Sequence, residues 1–569
     1  MTLCKKFAVT VFAMCITISA ITQEALTSIE EEYYDFLSLT GAAERPTLGY
    51  RTLSDNEWTI TDDAHNVWAN NNLGTKYTLF SSDGGAANWF TEGLRRSAAV
   101  RVYGPEWYNS YNDKLPYGQN DGALWQGKGY NTSLTAGVRL ETYGFELTFK
   151  PQISFSQNKD FDFLPGVNGN KYSYFTNTGG YLDLVQRYGD SSFWTYDWGD
   201  SEVRWTWKKF TVGFGTQNPW IGPAKINPML GSNNAAGYPK LDWGLRKFEL
   251  IVPGLGWDLG ELEARMWVGQ LQMSDYFDTS IVTNNNDTSK KHMLTGMTVA
   301  YAPSAIPGLT IGLNRIYVTT WKKSNLKTLG RLINLAGASL NSTASGNDED
   351  QKLSLFLDWT FPSIGFEVYG EYGKDDDCPI EADPFHTGIY TIGCQQEIPL
   401  NSKYDIYSKF NLELNFFEMS QDYQLAWNYL GFYSHGAVYS GYTNKGQILG
   451  AGTGYFGNSQ YLSYTVYYPK GNTKLYFHRY CNNNNYILNM AVNNTASAVM
   501  YTNGNRNWET YETYLVFGIS TDYFITKSLL IGGSAAYMKI LHHNYVNTPT
   551  ASDGRIKTFA LSFTLKYNF

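Results

Sequence analysis

Residues 558–569 read TFALSFTLKYNF, and Phe559, Leu561, Phe563, Leu565, Tyr567 and Phe569 alternate without a break with Ala560, Ser562, Thr564, Lys566 and Asn568. Successive side chains on a strand point to opposite faces, so this stretch is a β-strand with one apolar and one hydrophilic side. A soluble sandwich would show the same pattern. The rest of the chain decides where the apolar face points.

The period of two recurs along most of the sequence. In SLTAGVRLETYGFELTFK, Leu134, Ala136, Val138 and Leu140 face one way, a turn falls at Tyr143 and Gly144, and Phe145, Leu147 and Phe149 return on the same side. Arg139, Glu146 and Lys150 share the opposite face. Leu309, Ile311 and Leu313 repeat the pattern, as do Leu353, Leu355, Leu357 and Trp359, with Asp358, Glu367 and Glu371 on the non-apolar side of their strands. Short turns alternate with long polar connections such as TNNNDTSKKH and LNSTASGNDEDQK, the asymmetry of a membrane barrel with one quiet rim and one elaborate rim. Composition agrees. The chain is 43% hydrophobic and 16% aromatic, yet its mean hydropathy is -0.35, because only one face of each strand needs to be apolar.

These features predict an all-β transmembrane antiparallel barrel of about 16–18 strands in the outer membrane, occupying residues 76–569. The terminal strand closes it, since an open edge would leave backbone donors and acceptors in lipid. Phe569 fits the end signal of such barrels, which implies the barrel assembly machinery and outer-membrane lipid as partners.

The first residues, MTLCKKFAVTVFAMCITISAITQ, predict a signal peptide over 1–20: a charged start at Lys5 and Lys6, an apolar run too short to span as a mature helix, and Ala20 at the cleavage point. Residues 21–75 predict a small periplasmic helical segment. Ser28 and Glu31 suggest a capping box, Ile29, Tyr33, Phe36 and Leu37 share a helical face, and Gly41 suits the stop. A second Ser-x-x-Glu stands at Ser54 to Glu57. The segment is too short to fold alone and should rest on something else.

The net charge of -8 argues against a nucleic-acid partner. None of the seven histidines is followed two residues later by Ser, and G-x-S-x-G, H-E-x-x-H and P-loop motifs are lacking. The reading is therefore not an enzyme, with no catalytic residue, metal or cofactor assigned. Beyond the leader stand Cys378, Cys394 and Cys481; the first two flank a loop-like stretch and either form a disulfide there or remain free thiols. FWTYDWGD, VRWTWKKF and NPWIGP interleave Trp and Tyr with polar residues. Such clusters suit a sugar, which offers a C–H face to a ring and hydroxyls to planar polar groups, or else belong to an aromatic girdle or the barrel wall.

WKKFTVGFGTQNPWIGPAKINPMLGSNNAAGYPKLDWGLRKFEL, residues 207–250, resembles the signature region of the Wzi-type capsule assembly proteins. The matching positions are Gly215, Gln217, Trp220, Gly222 and Pro223, then Ser232, Asn233, Asn234, Ala235 and Pro239, then Arg246. Two departures stand out: Ile221 separates Trp220 from Gly222, and Gly237 and Tyr238 replace the Arg common before the Pro. LGELEARMWVGQL, LSLFLDWTFPSIGFEVYGEYGKDD and YTNKGQILGAGTG resemble later family strands. The resemblance implies a barrel of about eighteen strands with a periplasmic helical plug, acting as a surface lectin that anchors capsular polysaccharide. Gln217, Trp220 and Arg246 become glycan-binding candidates, since Trp supplies a stacking face and Gln and Arg directed donors. The rival is an architectural role in which Arg246 pairs with an inward carboxylate. Gly222, Pro223, Asn233, Asn234, Pro239 and Phe569 are structural signature positions. The competing function is a porin-like diffusion channel.

Overall fold

The computed structural model describes residues 28–62, 65–81, 97–164, 171–173, 181–277, 290–333, 349–375, 384–420, 431–436, 438–454, 456–484, 511–545 and 555–569. The leader lies outside them. Among the described residues, eighteen antiparallel strands form one closed wall, from Ser97–Asn112 round to Ile556–Tyr567. Closure is the pairing of the last strand with the first, running from Ala560 opposite Asn112 to Lys566 opposite Glu106. No helix among the described residues is long and apolar enough to cross a membrane.

Alternation sets the two faces. Leu134, Val138, Phe145, Phe149, Phe559, Leu561 and Phe563 are exposed on the outside of the wall, whereas Arg139, Lys150 and Lys566 are buried within. Tyr143 and Gly144 both take positive φ, 46° and 81°, the geometry of a two-residue hairpin turn whose twist matches the flanking strands. Two neighbouring strands are interrupted at one height, between Phe145–Phe149 and Gln152–Ser156 and between Phe193–Asp197 and Glu202–Trp207. Pro151 brings no N–H to the ladder there. Gly199 faces it at φ 56°, where a Cβ would sit 2.4 Å from the Lys150 carbonyl oxygen.

The lumen is filled from both ends. At the rim with short turns, the helix Ile29–Ser38 and the chain up to Leu73 enter the barrel. Tyr33, Phe36 and Trp68 pack against the inward Tyr407, Tyr467, Phe524 and Leu530 of the wall, and Tyr33 stacks on Trp68 at 3.9 Å between centroids. Each fully buried side chain of this kind contributes about 1.5–3 kcal/mol. At the rim with long connections, Leu182, Ile221, Leu230, Phe432, Tyr433 and Leu449 fold inward onto Trp267, Leu294 and Ile389 of the wall.

Three expectations need correction. Ser28 caps the helix by accepting from the Glu31 N–H at 3.2 Å, but the Glu31 carboxylate turns away to Arg51 and the Trp58 indole, so the reciprocal half of a capping box is missing. The second Ser-x-x-Glu yields only a single 3-10 turn, Leu53–Asp55; the Ser54 N–H and hydroxyl are engaged by Gln217 across the lumen instead. Cys394 does not end a loop. It stands within the strand Gly388–Asn401 opposite Val368 and carries a free thiol, while Cys378 lies outside the described residues.

Candidate functional site

The plug meets the wall through charge. An apolar face docks the helix, so its acidic residues end up inside the barrel, where an unpaired carboxylate would be costly. Each has a cation from a different part of the chain: Glu30 with Lys566 at 2.7 Å, Glu31 with Arg51 at 3.1 Å and Glu32 with Lys474 at 2.6 Å. Asp35 takes Lys225 at 2.8 Å, Arg45 at 3.2 Å and Lys409 at 3.4 Å, and accepts from the Gln395 amide at 2.8 Å. Burial alone would raise the Asp35 carboxyl, but Lys225, Lys409 and Arg45 hold it well below the usual range. These partners were beyond sequence reasoning. The only local signal was lysine at inward positions of otherwise apolar strands.

The family-like segment 216–246 builds the other half of this junction. Residues 216–239 descend into the lumen, and Trp220 and Ile221 pair as a short ladder with Arg51 and Tyr50 of the plug. Gln217 is buried, exchanging hydrogen bonds of 3.1 Å with Ser54 and donating to the Asp200 carbonyl at 3.2 Å. The Trp220 indole N–H donates to the Ala224 carbonyl at 2.8 Å, and the Arg51 guanidinium lies 5.9 Å from its ring centroid. Arg246 donates to Asp55 at 2.8 Å and to both Glu146 oxygens at 2.8 and 3.0 Å. Arg265 holds the second Asp55 oxygen at 2.9 Å. Burial opposes ionisation of Asp55, yet Arg265 and Arg246 keep its carboxyl far below the usual range. The remaining signature positions shape the same junction. Gly222 takes φ 86° with its N–H bonded to the Gly49 carbonyl at 3.0 Å, Asn233 accepts through its carbonyl from Gly122 N–H at 2.6 Å, and the Asn234 amide donates to Ile448 O at 2.9 Å. Pro223 borders the mouth of the plug and the Pro239 carbonyl accepts from Gln270 N–H at 2.9 Å. The Phe569 carbonyl accepts from Thr75 N–H at 2.7 Å, tying the last residue to the plug linker.

Cavities flank the junction. One of about 970 Å³ opens at the short-turn rim and is lined by Lys76, Glu141, Lys209 and Arg246. Another of about 440 Å³ lies between the plug helix and the inward loops, lined by Trp220, Tyr108, Tyr117, Tyr461 and Lys409. The structure therefore brings Gln217, Trp220 and Arg246 together around the plug but separates their environments: Trp220 borders the inner chamber and Arg246 the short-turn mouth. The aromatic stretches singled out in the sequence divide differently. Trp194, Tyr196 and Trp198 of FWTYDWGD are exposed on the outside of the wall, where they join the lipid-facing surface rather than a sugar site.

An eighteen-strand barrel with an apolar outer surface, whose lumen holds its own N-terminal segment and inward loops, defines a plugged outer-membrane barrel. The chain belongs to the capsule assembly protein Wzi family, whose model matches residues 114–553. Its fold is similar to that of Escherichia coli Wzi, described as an outer membrane protein involved in group 1 capsule assembly and a carbohydrate binding β-barrel. The TM-score is 0.54 and identity 12%, covering 97% of this chain and 100% of that one. A porin of Rhodopseudomonas blastica also aligns, with TM-score 0.30 and identity 11%, over 83% of this chain and 100% of that one. Among curated proteins, none matches this sequence.

Proposed function

We propose that the protein binds surface polysaccharide, of the capsular kind, and holds it at the outer membrane without catalysing a reaction. The observation that carries this reading is the filled lumen: charged plug contacts at one end and an apolar core of inward loops at the other suit a fixed binding surface rather than a passage. Family membership and the carbohydrate-binding description of the Escherichia coli protein support it. Residues 1–20 act as the export leader, residues 21–75 as the plug facing the periplasm, and the barrel assembly machinery inserts the wall; nucleic acid is not a partner. Gln217, Trp220 and Arg246 affect glycan retention by setting how the plug and the 216–239 loop sit, since their polar groups are bonded within the protein.

Removing the protein from the cells that make it should release polysaccharide from their surface, and the purified barrel should show little conductance in a planar bilayer. Normal retention in the deletion strain together with high single-channel conductance would replace the lectin reading with a diffusion channel.

A further inference from the structure

Residues 171–173 and 181–192 of one long connection meet residues 273–277 of another at the rim away from the plug. There Tyr172 stands edge-on to Tyr276, with centroids 5.4 Å apart at 82°, and Tyr276 stands edge-on to Tyr188 at 5.7 Å and 87°. Trp125 continues the row at 5.0 Å from Tyr188. Tyr172 and Tyr276 are half-buried, so ring surface remains open to the exterior. Charged groups frame the row. Buried Arg187 donates to Asp160 at 2.7 Å, to Asp190 at 2.9 Å and to the Asn158 carbonyl at 2.9 Å. The two carboxylates it holds stay 85% and 58% exposed, with acceptor capacity directed to solvent.

We propose that Tyr172 and Tyr276, framed by Asp160 and Asp190, form a stacking site for neutral hexopyranose residues of a surface polysaccharide; this rests on the polysaccharide reading above. A pyranose ring is amphipathic. Its C–H face lies on the electron-rich face of a tyrosine, and its outward hydroxyls donate to carboxylates. Lys171, 61% exposed, sits 4.7 Å over the Tyr172 ring and pairs with Asp190 at 2.8 Å; an exposed pair holds weakly and releases the ammonium to a sugar oxygen. Exposed Asp160, Asp190 and Asp275 are offset by Arg187, Lys171 and Lys290, so the contact carries no surplus charge and suits a neutral sugar.

The row is built before any ligand arrives. The Tyr188 hydroxyl donates to the Lys445 carbonyl at 2.7 Å, and buried Asp183 accepts from both the N–H and the hydroxyl of Ser274, joining the two connections. Gly189 leaves room for Tyr276: its φ is 74° and a Cβ would stand 3.0 Å from the Tyr276 hydroxyl. Rings already held in place lose little freedom on binding.

The test uses full-length protein in detergent and polysaccharide extracted from the cells that produce it, measured by biolayer interferometry. The variants are Y172A/Y276A and Y172F/Y276F, each shown to shift in mobility on heating as a folded barrel does. The alanine pair should bind at least about tenfold more weakly, equivalent to about 1.4 kcal/mol, while the phenylalanine pair, which keeps both rings, stays near wild type. Wild-type affinity in the alanine pair would overturn the site and leave the polysaccharide reading standing. Failure of the wild-type protein to bind would overturn both.

Discussion

The junction at residues 216–246 and the outer-rim row of Tyr172, Tyr188 and Tyr276 look alike as sequence, aromatic rings set among polar residues, yet they occupy opposite situations. At the junction the Gln217 amide, the Trp220 indole and the Arg246 guanidinium all have protein partners, and the segment is pinned to the plug by backbone pairing. At the rim the two terminal nitrogens of Arg187 are bonded within the protein, but the carboxylates they position face water. Residue type alone therefore does not mark a ligand site; what matters is which hydrogen-bonding groups the fold leaves exposed at a surface the ligand can reach. By this criterion we propose an architectural role for the family-like motif.

The largest effect tests the wall that carries both regions. A chain lacking residues 558–569 should fail to assemble, because the strand Ser97–Asn112 loses its partner and exposes backbone groups to lipid at several kcal/mol each. Recovery of a surface-exposed, heat-modifiable barrel from that truncation would refute the closure argument.

Next comes the junction alone. Asp55→Ala leaves Arg246 and Arg265 without the carboxylate between them, and breaking a buried pair on one side costs about 3–5 kcal/mol. Protease cleavage within residues 28–73 should accelerate strongly, while polysaccharide binding at the rim changes less. Equal losses in both assays would mean that the regions are coupled and the comparison fails.

The rim has its own pH dependence. Burial raises the Asp183 carboxyl to about 6, despite the opposing hydrogen bonds from Ser274 and the nearby Lys290, against about 3.9 in an unfolded chain. The folded loop therefore holds its proton more tightly than the unfolded one. There is no penalty below about pH 4; it grows between about pH 4 and 6 and is complete above that, at an order of 1–3 kcal/mol. Amide hydrogen exchange in residues 181–189, corrected for intrinsic rates, should show less protection at pH 8 than at pH 4.5. Asp183→Asn should flatten this difference, and an unchanged profile would remove Asp183 as its source.

The smallest effect sharpens the junction's assignment. Trp220→Phe keeps a ring but loses the donor to Ala224, a change worth about 1 kcal/mol of stability. Surface polysaccharide retention should fall only in step with that loss of stability. A tenfold loss of retention with unaltered stability would show that this ring touches sugar after all.

The wall was legible in local pattern alone. The side-chain period of a strand is local, so Leu134 to Phe149 and residues 558–569 disclosed which face meets lipid and which lysines and arginines point inward. The pattern also placed the Tyr143–Gly144 turn, because the apolar alternation that runs to Leu140 returns on the same side from Phe145. It did not reveal what those inward charges meet. Asp35 and Lys225 are separated by 190 positions and Glu30 and Lys566 by 536, and no periodicity links such residues. Local rules failed where a distant partner competed for the same atoms: Ser54 resembles a helix cap, but Gln217, 163 positions away, occupies its N–H and hydroxyl. The fate of each aromatic was also decided only in three dimensions. Trp194 and Tyr276 are equally amphipathic as residues, and barrel closure put one against lipid and the other at the rim, because burial depends on where the whole sheet lies.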